Sequence, residues 1–325
     1  TAGGSQNVTI AAQDSFGNPA LTYSGDKTLS FSGAANAPSG ASPAVVDKNG
    51  TSRNFGTATT ISFVNGSATV SGGNNGVMTL VKAETATVAV TDTVNAIGSL
   101  GSGNLAVTVS AAPAHNLAFS TQPSSNGTAA VNLPQQPAVQ IRDQFNNPTS
   151  ATDSISLAPF SDSACTTGAG GTLNGTGPVA AVSGVASFSG VNYNLAGTIY
   201  LKATDTTNGA VLAACSSGVT IAHGAASPLS ISVQPGTAGI NQALNPAPQV
   251  RLLDAHGNTV SSDSTSSINA TIITGTGTFV SSDTQVQLSS GVATFSNLRF
   301  NATGTYNLRF SINTASFTVD SNAFT

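Results

Sequence analysis

The chain has 325 residues, 39% hydrophobic and only 7% charged, with a formal net charge of −4. An average soluble domain is about 25% charged, so this surface is built from Ser, Thr, Asn, Gly and Ala and lacks the repulsion that keeps copies of a protein apart. The absence of a basic stripe excludes nucleic acid as a partner. No stretch reaches the roughly 18 apolar residues of a membrane-spanning helix, and the length fits two or three domains of about 100–150 residues.

Thr1 is not an initiator Met and no basic-plus-apolar leader opens the chain, so a processed form or a piece of something longer is expected. Two cysteines, one Met and no Trp in a Lys-poor, Thr/Asn/Gly-rich chain suit an oxidising, extracellular location.

In chain order, Val8–Asp14 reads as a strand ending in the turn Asp14-Ser15-Phe16-Gly17-Asn18-Pro19. A segment from Ser32 to Thr57 has no counterpart later in the chain. Strands follow at Gly66–Val70 and Gly76–Ala83, and Ala112-Pro113 marks a boundary. The middle third opens with Asn116–Pro123, continues with the strand Pro137–Asp143 and the turn Asp143-Gln144-Phe145-Asn146-Asn147-Pro148, then Gly184–Ser189 and Gly197–Leu201. After a second boundary at His223-Gly224, the last third repeats this order: Pro228–Pro235, Pro248–Asp254, the turn Asp254-Ala255-His256-Gly257-Asn258-Thr259, Gly291–Ser296 and Gly304–Leu308. The copies are spaced by about 110 residues, the size of one β-sandwich. Tyr306, Leu308, Phe310 and Ile312 alternate with Asn307, Arg309 and Ser311, the period of a strand with one buried face.

The recurring turn has two readings. In the structural one, Asp14, Asp143 and Asp254 accept hydrogen bonds from the following N–H groups, and Gly or Asn takes the left-handed position before Asn18, Asn147 and Asn258. In the other the Asp residues bind calcium, although few neighbouring carboxylates could complete six or more oxygen ligands. Cys165 and Cys215 both fall in the middle third. A disulfide between them is expected, closing a loop of about 50 residues, because neither a Cys-x-x-Cys spacing nor an adjacent His supports a metal or redox pair.

His115, His223 and His256 lie at two linkers and a turn tip. Asp162, Asp205 and Asp263 are scattered near strand ends. No nucleophile elbow, zinc-protease helix, phosphate loop or carboxylate pair is present, so no catalytic, cofactor or metal residue is assigned. Sequons at Asn7, Asn49, Asn65, Asn126, Asn174, Asn269 and Asn301 are no more than this composition yields by chance.

A strand ending in Asp-x-x-Gly-Asn, then Gly-Val-Ala-x-Phe and Gly-Thr-Tyr strands, resembles the bacterial Ig-like repeats of invasin- and intimin-type adhesins, with related modules in S-layer and other envelope proteins. The resemblance is good in residues 113–325 and weaker in 1–112. It implies stalk and scaffold roles, with binding often located in a separate tip domain, and no tip domain is visible here.

The expected fold is all-β: three tandem immunoglobulin-like Greek-key sandwiches in an elongated rod, with modules at residues 1–112, 113–223 and 224–325. Thr1–Gly4 aligns with Gly236–Gly239, behind the opening strand of the third module, so module one is expected to lack its first strand. A fragment boundary explains this, or else a strand from a neighbouring copy fills the gap. The C-terminal strand Ser316–Phe324, through Phe317, Val319 and Phe324, is one candidate donor and an exchanged N-terminal arm the other; alternatively Phe317 and Val319 complete the third module's own last strand, leaving only Asp320–Thr325 to reach out. The functional expectation is a non-catalytic subunit of a surface filament, sheath or S-layer whose partners are copies of itself, joined head to tail or laterally. The alternatives are the stalk of a larger adhesin, meeting a host or cell-surface ligand through other domains, and a carbohydrate-binding array. The last would need an aromatic platform from Tyr23, Tyr193, Tyr200 and Tyr306.

Overall fold

The computed structural model describes residues 1–99 and 101–325. Among them every regular element is a β-strand apart from one 3₁₀ turn at Gly101–Gly103. Strand alternation is cleanest in Asn307–Ile312, where Leu308, Phe310 and Ile312 are buried and Arg309 is exposed. The Phe310 ring lies 5.0 Å from that of Phe295 and both are fully buried. Each such side chain stabilises the fold by about 2–3 kcal/mol.

Buried hydrophobic side chains gather into three clusters. One surrounds Leu29, Ile61 and Met78, the second Val139, Ile155 and Leu201, and the third Val250, Ile268 and Phe310. The sheets around the second cluster are a three-stranded one, Asn116–Thr121, Ala138–Arg142 and Val185–Ser187, and a six-stranded one built on Ser154–Phe160 and Gly197–Asp205. The third has Ala226–Val233, Gln249–Asp254 and Val292–Thr294 facing a four-stranded sheet through Ser267–Thr274 and Asn307–Ile312. The three-stranded sheets match the repeat read from the sequence, while the second sheet has six strands around one cluster and four around the other.

One hairpin recurs with the same bonds in all three. Asn65-Gly66, Ser183-Gly184 and Ser290-Gly291 have φ of 49/79°, 50/80° and 49/76°, the double positive φ of a type I′ turn. Each glycine N–H donates to a neighbouring loop carbonyl, of Tyr23, Ala151 or Asp263. Each glycine carbonyl accepts from Ala12, Ile141 or Leu252. A Cβ on any of them would meet a backbone carbonyl, of Ala20, Thr149 or Val260 respectively. Each of these three residues stands six positions after the Asp of the recurring turn, so hairpin and turn are packed as one unit.

Residues 1–112 depart from the pattern in two ways. The unmatched segment forms a hairpin, Ala44–Val46 with Ser52–Asn54, which joins Val77–Thr79 and Ser5–Asn7 in a separate four-stranded sheet. Among the described residues Ile10–Ala11, the counterpart of Ala138–Arg142 and Gln249–Asp254, pairs with Ser67–Ala68 alone, whereas its counterparts are flanked on both edges.

The backbone also corrects the alignment of the N-terminus. Gly3, Ala130 and Asn241 all have positive φ, and their N–H groups donate to Leu80, Tyr193 and Phe300 carbonyls. Thr1–Gly4 therefore matches Gly239–Gln242, three residues beyond the sequence match. Hydrogen bonding at a left-handed residue fixes this register where Gly and Ala identities misled.

Strand direction sets the ends of each sandwich. Ala138–Arg142 runs into the Asp143 turn, and Val185–Ser187 runs back, with Ala138 opposite Ser187. The chain therefore reaches Asn194–Ala196 at the end away from the turn. Turn and bend sit at opposite ends of the same sandwich.

Candidate functional site at the module joints

The Asp turn builds itself from local bonds. Asp143 Oδ1 accepts the Phe145 and Asn147 N–H groups at 2.8 and 2.9 Å, and its Oδ2 accepts Asn147 Nδ2 at 2.9 Å. Asp254 does the same with His256 and Asn258 at 2.8–2.9 Å, as does Asp14 with Phe16 and Asn18 at 2.9–3.0 Å. The residue before each Asn has φ of 84° (Gly17), 64° (Asn146) or 84° (Gly257), which Gly and Asn tolerate.

In the second and third copies the turn also reaches into the preceding sandwich. Asn147 Nδ2 donates to the Val81 carbonyl and its Oδ1 accepts the Ala83 N–H, both at 2.9 Å. Asn258 repeats this on Asn194 and Ala196 at 2.9 and 2.8 Å. One planar amide thus caps a carbonyl and an N–H two residues apart, as a β-bridge would, and uses both its donor and acceptor. The second Asp oxygen takes one more bond from the linker: Ala112 N–H to Asp143 at 2.9 Å and Gly224 N–H to Asp254 at 2.7 Å.

At the first joint the Phe145 ring packs against the core cluster of residues 1–112 beside Gly3, and the Phe145 carbonyl accepts the Ser39 N–H at 3.0 Å. At the second joint His223 bridges Gly224 O and Ser262 Oγ at 2.8 and 2.9 Å.

Burial follows engagement. Asp143, Asn147, Asp254 and Asn258 are 0, 1, 1 and 8% exposed, whereas Asp14 and Asn18 lie open to solvent. Burial raises the Asp254 pKa, but the bonds from Asn258, Gly224 and His256 outweigh it and hold the carboxyl at about 2. The Asn18 side chain, with further turn N–H groups, lowers that of Asp14. The oxygens of all three carboxylates accept from N–H donors, which places donors where a calcium ion would need empty oxygens. Among the described residues no three His, Cys, Asp or Glu side chains group so as to hold a metal ion.

The other singled-out residues fall elsewhere. Cys165 and Cys215 are joined, with Sγ–Sγ 1.94 Å and Cα–Cα 5.9 Å, and tie the loop after Ser154–Phe160 to the edge of Gly197–Asp205. Asp162, Asp205 and Asp263 each cap their own loop.

Of the two readings of the C-terminal strand, the structure favours completion of its own sheet over donation, and it places Phe324 there as well. Val319 pairs with Phe310, Phe324 exchanges two backbone bonds with Tyr306, and both, with Phe317, pack on the third core cluster. Ser321 is buried, its Oγ accepting the Leu308 N–H at 2.9 Å. These side chains complete their own sheet, because the apolar face of Asn307–Ile312 is there to receive them.

No family model matches the chain, and no curated protein matches it. Similar solved structures include the Escherichia coli adhesin FdeC, at 18% identity over 100% of this chain and 93% of that one, with a TM-score of 0.37. Yersinia pseudotuberculosis InvD matches at 13% over 100% and 93%, TM-score 0.34. The D00–D0 domain of intimin matches at 13% over 64% and 96%, TM-score 0.31. By its own strand pairing and repeated turns the chain is an all-β protein of immunoglobulin-like sandwiches, similar to these bacterial adhesin structures.

Proposed function

We propose that the chain is a non-catalytic structural element of a cell surface, made of three Ig-like modules at residues 1–112, 113–223 and 224–325 held end to end as a stiff row. The observation that carries this is the joint itself. The same asparagine clamp, on the same two backbone positions of the preceding module, occurs at both boundaries. A buried, fully hydrogen-bonded contact restricts bending in a way that a bare linker does not. An oxidised cysteine pair and a surface poor in charge fit an extracellular location.

Partners in this reading are further copies of the chain, in a filament, sheath or surface layer. Alternatively the row is the stalk of a larger adhesin whose ligand is met by other domains. The carbohydrate-binding reading loses support, since Tyr193 and Tyr306 are buried and Tyr23 and Tyr200 half-buried.

Small-angle scattering of the dilute chain tests stiffness. The wild type should give an extended, narrow distribution of distances. Replacing Asn147 and Asn258 together with Ala should shorten and broaden it while leaving the β-signal in circular dichroism intact. A wild type already as flexible as the double variant would refute the reading.

A further inference from the structure

Module one carries the same coupling turn as the other two, and no described residue of this chain outside the turn engages its Asn18 and Phe16 side chains. Asn18 has the turn geometry of Asn147 and Asn258, yet its amide oxygen and second amide hydrogen make no bond among the described residues. Phe16, at the position of Phe145, is 89% exposed, the most exposed large apolar side chain described, whereas Phe145 packs against the neighbouring module.

The matching receptor is found on module three. Asn301-Ala302-Thr303 occupies the place of Asn194-Leu195-Ala196: Asn301 Oδ1 accepts the Thr278 N–H at 2.8 Å as Asn194 Oδ1 accepts that of Thr172 at 2.7 Å. The Asn301 carbonyl and Thr303 N–H, the two groups an incoming asparagine would cap, have no hydrogen-bond partner among the described residues. Beside them opens a depression of about 310 Å³ lined by Ala238, Leu244, Thr303, Tyr306 and Phe324, apolar and large enough for a phenyl ring.

We propose that the Asp14–Asn18 turn of one chain docks on the Asn301–Thr303 bend of a second copy, so that the joint repeated within the chain is made once more between chains. Asn18 caps the Asn301 carbonyl and Thr303 N–H, and Phe16 enters the adjoining depression. Asn241 stands where Gly3 accommodates the Phe145 ring, so the Phe16 ring lies nearer Ala238 and Tyr306. One surface meets a different surface, so the contact is heterologous and propagates into a row. Without a covalent linker it is a small interface of the weak class. The proposal rests on the stiff-row reading in treating the joint as a docking unit.

The test is sedimentation velocity over a concentration series reaching roughly millimolar, the range of weak contacts, on the wild type, Asn18→Ala and Phe16→Ser. Both substitutions are on an exposed turn, and unchanged melting temperatures would show the modules intact. The wild type should sediment faster with concentration, and each variant should need roughly tenfold more protein, the effect of about one hydrogen bond or a partly buried ring.

Orientation is read by mixing Ser15→Cys molecules, which keep Asn18 and Phe16 and carry the thiol on the same exposed turn, with Thr303→Cys molecules under mild oxidation. Cross-links between 15 and 303 should exceed 15–15 and 303–303 pairs. A strictly monomeric wild type, association unchanged in both variants, or no excess of the 15–303 product would each overturn the proposal. Scattering from the dilute single chain separates the two readings, because a stiff chain that does not associate defeats only this one.

Discussion

At Asp254 burial and hydrogen bonding act in opposite directions on one carboxyl, and the bonds prevail, holding it at about 2 against an ordinary 3.8. A depressed carboxylate contributes stability that is complete above its unfolded pKa and is lost as the pH falls through its folded one. The contribution of Asp254 should therefore be full at pH 5 and disappear between about pH 4 and 2. Asp254→Asn should lower stability by about 2 kcal/mol at pH 7, since the N–H groups of Gly224, His256 and Asn258 and the Asn258 amide lose a charged acceptor and the new NH2 group faces donors instead of accepting from them, and by little at pH 2. Thermal melts of both proteins across that range check it, and parallel curves would show that the carboxylate does not titrate in the joint. The aspartates were legible in the sequence as turn residues. The role of Asn18, Asn147 and Asn258 was not, although a signal existed. The fifth residue of the turn is Asn in all three copies, and the turn itself uses only one N–H of its side-chain amide, on the Asp carboxylate. The amide oxygen and the second amide hydrogen are left to bond something outside the turn.

Hairpin and turn act as a unit at the next scale. The I′ glycine sits against the carbonyl of Ala20, Thr149 or Val260, six residues past each Asp, so adding a methyl group there collides with backbone and also strains a positive φ. Gly184→Ala should cost about 2–4 kcal/mol, whereas the same change at Gly190, at positive φ with open space around it, should cost about 1 kcal/mol. Denaturant titration of the two variants distinguishes crowding from dihedral strain, and equal losses would remove the packing argument. Strands were readable because alternation in Asn307–Ile312 and the Gly-Val-Ala segments reflects burial on one face. The hairpin Ala44–Val46 with Ser52–Asn54 was not, since it has no second copy against which to align. The C-terminal strand stayed open between two readings for a related reason: alternate apolar residues at Phe317 and Val319 show that a face will be buried, but do not show whose sheet buries it.

For the molecule as a whole, the cross-link and the clamps divide the work. The cystine closes a loop across 50 residues wholly inside the middle sandwich and constrains its unfolded chain by roughly 4 kcal/mol in the loop-entropy model. Intact mass should rise by two hydrogens on reduction. Calorimetry of the reduced chain should show the middle sandwich melting earlier, drawing its neighbours down only as far as the joints couple them. A melting profile unaffected by reduction would show that the loop adds nothing to stability. The clamps themselves touch only main-chain atoms of the module they grip: a carbonyl and an N–H from Val81 and Ala83 at one joint, from Asn194 and Ala196 at the other. The side chains at those bends are accordingly free to differ, and Lys82 at one stands where Leu195 does at the other. A module duplicated or transplanted by recombination keeps the main-chain half of the coupling at its new border, and only the ring beside the clamp, which Gly3 accommodates at the first joint, asks for a matching side chain. Such arrays can change length far faster than they change sequence.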